Sequence, residues 1–180
     1  LGTNALSGNT TAEANTAIGT NALRLNTTGA YNVAVGMSAL DANTSASAIT
    51  AVGYGALKSN TTGASNTSVG SDSLDANTTG ANNVAMGNSA LGANTTASRN
   101  TAVGTNAMLA NTTGAENSSV GFQSAKANTT GNRNVAFGDV ALFSNTSGND
   151  NVAIGQQALM ANTTASNNTA VGKEALSSNT

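Results

Sequence analysis

The chain's candidates for acid–base chemistry are eight carboxylates: Glu13, Asp41, Asp72, Asp75, Glu116, Asp139, Asp150 and Glu174. Hydrolysis by paired carboxylates needs two of them to converge on one bond. Here they are spread over variable positions of a repeat and form no rank. Asp41 and Asp75 share a repeat position but lie 34 residues apart, and they read as solvated surface. Nucleophilic triads need histidine or an equivalent base, and the chain has neither His nor Cys. The Gly-Gly-x-Gly-x-Asp rhythm of calcium-binding solenoids and the Gly-x-x-x-x-Gly-Lys phosphate loop are both missing. The sequence therefore points away from enzymatic chemistry, with no catalytic residue, metal site or cofactor expected.

A second kind of chemistry is written in Asn-Thr pairs followed by Thr or Ser. They begin at Asn9, Asn26, Asn43, Asn60, Asn77, Asn94, Asn111, Asn128, Asn145 and Asn162, with Asn179-Thr180 at the end. The structural reading is a turn stabilised by local backbone bonds, with side-chain amides hydrogen-bonding from one repeat to the next as a ladder. The triplets also match the N-glycosylation acceptor pattern. Repeats stacked ~4.8 Å apart leave no room for a glycan on every rung, so only sparse modification fits. Ice binding is the third reading, by an outward rank formed of Thr10, Thr27, Thr44, Thr61, Thr78, Thr95, Thr112, Thr129, Thr146, Thr163 and Thr180. The neighbouring hydroxyl residue adjoins this rank in sequence, and adjacent residues of a strand face opposite ways.

What must position these residues is a strict period. Glycine returns every 17 residues, from Gly2 through Gly19, Gly36, Gly53, Gly70, Gly87, Gly104, Gly121, Gly138, Gly155 and Gly172. A fixed period this short marks a solenoid, in which each repeat is one coil stacked on the last. We number the slots from Asn100 (slot 1) to Glu116 (slot 17). Slot 4 is apolar throughout, from Ile18 to Val171, and slot 2 alternates between Val and Thr or Ser. Slot 9 is Leu except at Met108 and Ala125, and slots 3 and 8 hold only Ala or Ser. Such small residues mark close approach of another backbone, either the opposite wall of the same coil or a neighbouring subunit. The slot-5 glycine turns the chain, through positive φ or because nothing larger fits.

These features predict an all-β parallel β-solenoid, or β-roll, of 17-residue coils with two short strands per coil, joined at the glycine and at Asn-Thr-Thr-Gly. Residues 1–180 read as one continuous array of about ten and a half coils and a rod ~50 Å long. Leu1 falls in slot 4 and Thr180 inside a turn, without polar caps, which suggests a window of a longer protein. Each coil has few large apolar residues, so association of several chains would widen the core and a homo-oligomer is favoured. A net charge of −2, from six scattered basic residues against eight acidic ones, gives no nucleic-acid footprint, and no apolar run is long enough for a membrane span. Recognition would fall to variable slots, where Tyr31, Tyr54, Phe122 and Phe143 are candidate surface-binding residues, weighed against scattered apolar surface.

The run Asn-Thr-Ala-Ile-Gly at 15–19 recurs as Asn-Val-Ala-Val-Gly at 32–36, Asn-Thr-Ala-Val-Gly at 100–104 and Asn-Val-Ala-Ile-Gly at 151–155. It resembles the repeat of YadA-like heads of trimeric autotransporter adhesins. The longer coil, with Ala-Leu and Asn-Thr-Thr-Gly, is similar to repeats of phage tail-fibre-like and bacterial surface fibre proteins. The resemblance implies a left-handed, intertwined homotrimer at a cell or virion surface, with an unknown receptor or host ligand. It also makes the Ala/Ser ranks candidates for contact near the trimer axis. The expected function is a structural and adhesive extracellular fibre segment. An ice-binding solenoid and a self-assembling filament are the alternatives.

Overall fold

The computed structural model describes residues 2–180; Leu1, assigned above to slot 4, lies outside the described residues. Ten three-residue strands recur at the period of the sequence. They are β1 (Thr16–Ile18), β2 (Val33–Val35), β3 (Thr50–Val52), β4 (Thr67–Val69), β5 (Val84–Met86), β6 (Thr101–Val103), β7 (Ser118–Val120), β8 (Val135–Phe137), β9 (Val152–Ile154) and β10 (Thr169–Val171). They form one parallel sheet in sequential order, with each residue paired to its equivalent 17 positions on, as in Ala102 with Ser119. The chain is thus an all-β parallel solenoid of 17-residue coils. At ~4.8 Å per rung the ten strands span ~43 Å.

One strand forms per coil where two were expected. The Ala-Leu segment remains bonded between coils, since the Leu23 N–H donates to Ala39 O (2.9 Å) and the Asn21 N–H to Thr3 O (2.9 Å). Those two bonds point to opposite neighbours, and the backbone between them is not extended. Slots 7 and 9 both take left-handed φ, as at Asn106 (57°) and Met108 (50°), and so does slot 17, as at Glu116 (63°). The slot-8 N–H closes a tight turn on slot 5 (Ala107 to Gly104 O, 3.2 Å), and slot 12 closes another on slot 9 (Asn111 to Met108 O, 3.1 Å). Alternating hydrophobicity cannot reveal such a segment, because buried Leu in left-handed φ breaks the usual preference of that region.

Left-handed φ costs on the order of 1 kcal/mol at an ordinary residue and more at a β-branched one. Slot 7 holds Asn, Ser, Asp, Gln, Glu or Gly in every other described coil, but Val140 there has φ 48°. Val140→Asn is expected to raise stability by ~1 kcal/mol, read as a higher denaturation midpoint, because Asn tolerates this conformation.

The sheet is inverted relative to ordinary expectation for its residue types. In every strand the middle Ala or Ser is buried and the flanking residues of slots 2 and 4 point out. Ile18 and Met86 are 49% and 44% exposed, whereas Ala34, Ala102 and Ala153 are fully buried. The interior consists of the Ala ranks of slots 3 and 8, the slot-9 Leu rank and two Asn columns. The small residues face the opposite wall of their own coil. They have no surface left for another chain, which removes them as contacts near a trimer axis.

Serine shows that facing directly. It occupies slot 3 at Ser68 and Ser119, and in those two coils slot 8 is also serine, Ser73 and Ser124. Ser68 Oγ donates to Ser73 O at 2.8 Å and meets Ser73 Oγ; Ser119 Oγ donates to Ser124 O at 2.9 Å and meets Ser124 Oγ. Every other coil has alanine at both slots. Removing one hydroxyl leaves a gap beside its partner, which keeps only its backbone bond, as Ser73 Oγ does to Gly70 O (3.0 Å), whereas removing both restores the alanine pair. Ser68→Ala is expected to cost ~1 kcal/mol and Ser68→Ala with Ser73→Ala less than the single change, a non-additivity that a double-mutant cycle measures.

Candidate functional site

The Asn-Thr-Thr turns build the most regular polar array. Each slot-12 asparagine from Asn26 to Asn162 is buried. Its Nδ2 donates to the Oδ1 of the coil before: Asn43 to Asn26 at 2.8 Å, Asn94 to Asn77 at 2.9 Å, Asn145 to Asn128 at 2.8 Å. The same Nδ2 reaches the slot-15 carbonyl of its own coil, as from Asn94 to Ala97 O at 3.1 Å. Both Nδ2 hydrogens are thereby used in the rod interior. Folded coils leave those nitrogens no access for glycan attachment, which counts against that reading at Asn26 to Asn162.

A second amide column, at slot 1, completes the array and was not singled out from the sequence. Asn83 Nδ2 donates to Ala97 O, 14 residues on, at 2.9 Å, so the slot-15 carbonyl is held by two amides. Asn83 Oδ1 meanwhile accepts the Asn100 N–H at 3.0 Å. The signal was present, since Asn15, Asn32, Asn66, Asn83, Asn100, Asn117, Asn134, Asn151 and Asn168 share this slot. Ile49 interrupts the column, and Asn66 reaches back to Gly63 O, three residues before it, at 3.1 Å. Every buried side-chain nitrogen and oxygen among the described residues has a hydrogen-bond partner.

The threonine rank lies outside this array. Thr78 Oγ1 donates to Thr95 O at 3.1 Å and Thr129 Oγ1 to Thr146 O at 2.9 Å, so each hydroxyl proton is committed to the next coil. Slot 14 is exposed at Thr28, Ser45, Thr62, Thr79, Thr96, Thr113, Thr130, Ser147 and Thr164. The segment is a bend and not a strand, so the two adjacent hydroxyl ranks both reach solvent. The expected objection, that neighbours must face opposite ways, does not hold there.

The corner glycines are fixed by two constraints. Gly19, Gly36, Gly53, Gly70, Gly87, Gly104, Gly121, Gly138, Gly155 and Gly172 have φ between 123° and 138°. A Cβ on Gly104 would also sit 2.4 Å from Gly121 O. Both reasons entertained from the sequence therefore operate together.

Charged residues form columns, contrary to the reading that the acids follow no rank. Opposite charges stand 17 residues apart. Arg24 Nε bonds Asp41 Oδ1 at 2.7 Å in slot 10, and in slot 17 Arg99 pairs with Glu116 at 2.5 Å and Arg133 with Asp150 at 2.7 Å. Asp41 is largely covered by its partner and is not freely solvated surface. The Arg133 hydrogen bonds hold the Asp150 carboxyl below its ordinary range. That pair's contribution is present above the unfolded carboxyl's value, ~3.9, and lost as pH falls through the lower folded value. Burial, reinforced by Asp72, pushes Asp75 the opposite way. Its effect has the reverse sign: stability is greatest below the ordinary value and declines as pH rises through the folded one.

The aromatic candidates do not converge. Tyr31 projects from slot 17, while Tyr54 and Phe122 share slot 6 at a separation of 68 residues. Phe143 is half-buried in slot 10 beneath Lys126, whose Nζ lies 5.6 Å from the ring centre, so it serves its own column. No grouping of metal-ligating side chains occurs among the described residues. No protein-family model, curated protein or solved structure matches the chain.

Proposed function

We propose that the chain is a structural and adhesive segment of an extracellular fibre, a shaft or head that gives reach and displays weak contacts in multiple copies. The observation that carries this reading is the repetition of the same outward columns at every coil. Slot 14 presents an outward Thr or Ser at every coil, in register along the rod, so a ligand with repeated groups gains affinity by avidity and not from one pocket. Homotrimeric or other homo-oligomeric assembly and placement at a cell or virion surface belong to the same proposal, and the resemblance of the Asn-x-Ala-x-Gly strand to adhesin heads supports them. Beads carrying the purified chain at graded density test it on arrays of glycans and matrix proteins. Capture that collapses as the coating is thinned supports the reading. Equal capture at every density, or none on any surface, overturns it.

Ice binding is the second reading, favoured by the exposed hydroxyl ranks of slots 13 and 14. Thermal hysteresis with shaped ice crystals would select it, and its loss in Thr96→Leu with Thr113→Leu would locate it in the slot-14 rank. Growth of unshaped crystals without hysteresis would remove it.

A further inference from the structure

Slots 2 and 4 give the rod an outward face unlike the rest of its surface. Slot 4 carries Ile18, Val35, Val52, Val69, Met86, Val103, Val120, Phe137, Ile154 and Val171, apolar in all ten strands, and neither slot holds a charge in any strand. Several of these side chains are more than a third exposed, and the paired register places them in straight columns. The face is bordered by the charged slot-17 column Arg99, Glu116, Arg133 and Asp150, and beyond the corner glycine by slot 6. An apolar slot-4 column beside an uncharged slot 2 (Val in four strands, Thr or Ser in six), with a charged rim, has the anatomy of an interface.

Dimensions decide what fits it. Slots 17 to 6 span roughly 20 Å of chain and ten rungs span ~43 Å, a face of about 860 Å². That matches the ~800 Å² per partner of a standard stable interface. The pitch is the second argument. A groove or ridge repeating every ~4.8 Å over ten rungs is matched along its whole length by a surface with the same repeat. This chain supplies one.

We propose that the slot-2/slot-4 face packs lengthwise on the same face of further copies of this chain, burying Val, Ile, Met and Phe that the single coil leaves outside. The inference rests on the multi-copy reading above and adds the surface that performs it, in place of the Ala ranks. It also explains a coil whose largest β-branched residues point away from its own core.

The chain contains no cysteine, so single substitutions report unambiguously. Val103→Cys places a thiol on the proposed face and Thr113→Cys on the exposed slot-14 rank. A bis-maleimide spanning ~10 Å, the distance between packed sheet faces, is expected to link Val103→Cys into covalent dimers and to leave Thr113→Cys as single chains. Covalent dimers from Thr113→Cys but not Val103→Cys would overturn the face while leaving assembly intact. A native mass of 17.4 kDa for the unmodified chain at every concentration would overturn both. Val103→Lys with Val120→Lys is the companion: a fall to single-chain mass with unchanged β-sheet circular dichroism supports the face, and an unchanged multimeric mass contradicts it.

Discussion

Gly104→Ala is expected to lower stability by on the order of 4 kcal/mol, or ~10 °C in melting temperature for a chain of this length. The backbone at Gly104 has φ 132°, where L side chains are strained, and the added Cβ would fall 2.4 Å from Gly121 O and 2.7 Å from Gly121 C. Neither atom can yield, because the Gly121 N–H is itself bonded to Val103 O at 2.8 Å and ties the two rungs together. Gly114→Ala is the control. Its Cβ would meet Gly131 O at 2.3 Å, an equally short approach, but its φ is outside the left-handed region. The same slot holds alanine at Ala46 and Ala97, which shows that coils relax around it. The cost there is expected to be ~1 kcal/mol or less, the ordinary scale of a small local adjustment. Denaturant midpoints compare the two. Similar losses at both positions would mean that space and not φ governs the corner.

Asn94→Ala is expected to cost ~3–4 kcal/mol, because one side chain closes three bonds in a dry interior. Asn94 donates to Asn77 Oδ1 (2.9 Å) and Ala97 O (3.1 Å), and accepts from Asn111 Nδ2 (3.1 Å). Alanine leaves Asn77 Oδ1 and Asn111 Nδ2 each short of a partner. Asn94→Asp keeps the shape and makes the cost depend on pH. A carboxylate can accept from Asn111 but faces the Asn77 and Ala97 oxygens lone pair to lone pair, so its folded pKa rises above the unfolded ~3.9. By linkage, the variant is closest to the parent below that value and loses stability as pH rises through the folded one. Unfolding at pH 3 and pH 7 separates the cases. A penalty independent of pH would show that the ladder is not dry. The rod is quasi-one-dimensional, so hydrogen exchange should show lost protection confined to the coils around Asn94.

The sequence made the coil length, the corner glycine and the turn asparagine legible because each occupies one slot without insertion. The slot-1 asparagines recur with one exception, Ile49, but they sit inside the Asn-x-Ala-x-Gly strand motif, and only the geometry shows their amides turned inward beside slot 12. The 17-residue spacing of Arg99, Glu116, Arg133 and Asp150 was countable too. Such charges make no site within one coil, and their meaning lies in pairing between rungs. Two features were beyond pattern reading. Left-handed φ at Leu and Met defies intrinsic preference, so the Ala-Leu segment resembled a strand. Hydrophobicity also misleads about direction: in a coil this thin the interior admits Ala, Leu and Asn, and the bulky β-branched residues of the strands go outside, whereas Ile49, just before β3, is buried. The serine pairs at 68/73 and 119/124 held the clue that slots 3 and 8 face each other.

Lengthening the chain tests the central claim, that the molecule is a rod of equivalent rungs whose length follows the number of repeats. Inserting five further copies of residues 100–116 after Glu116 and measuring small-angle X-ray scattering, beside the parent, reads length and cross-section separately. The maximum dimension should grow by ~24 Å, five rung spacings, at constant cross-section and undiminished stability. Growth in cross-section at nearly constant length, or loss of folding, would contradict the account.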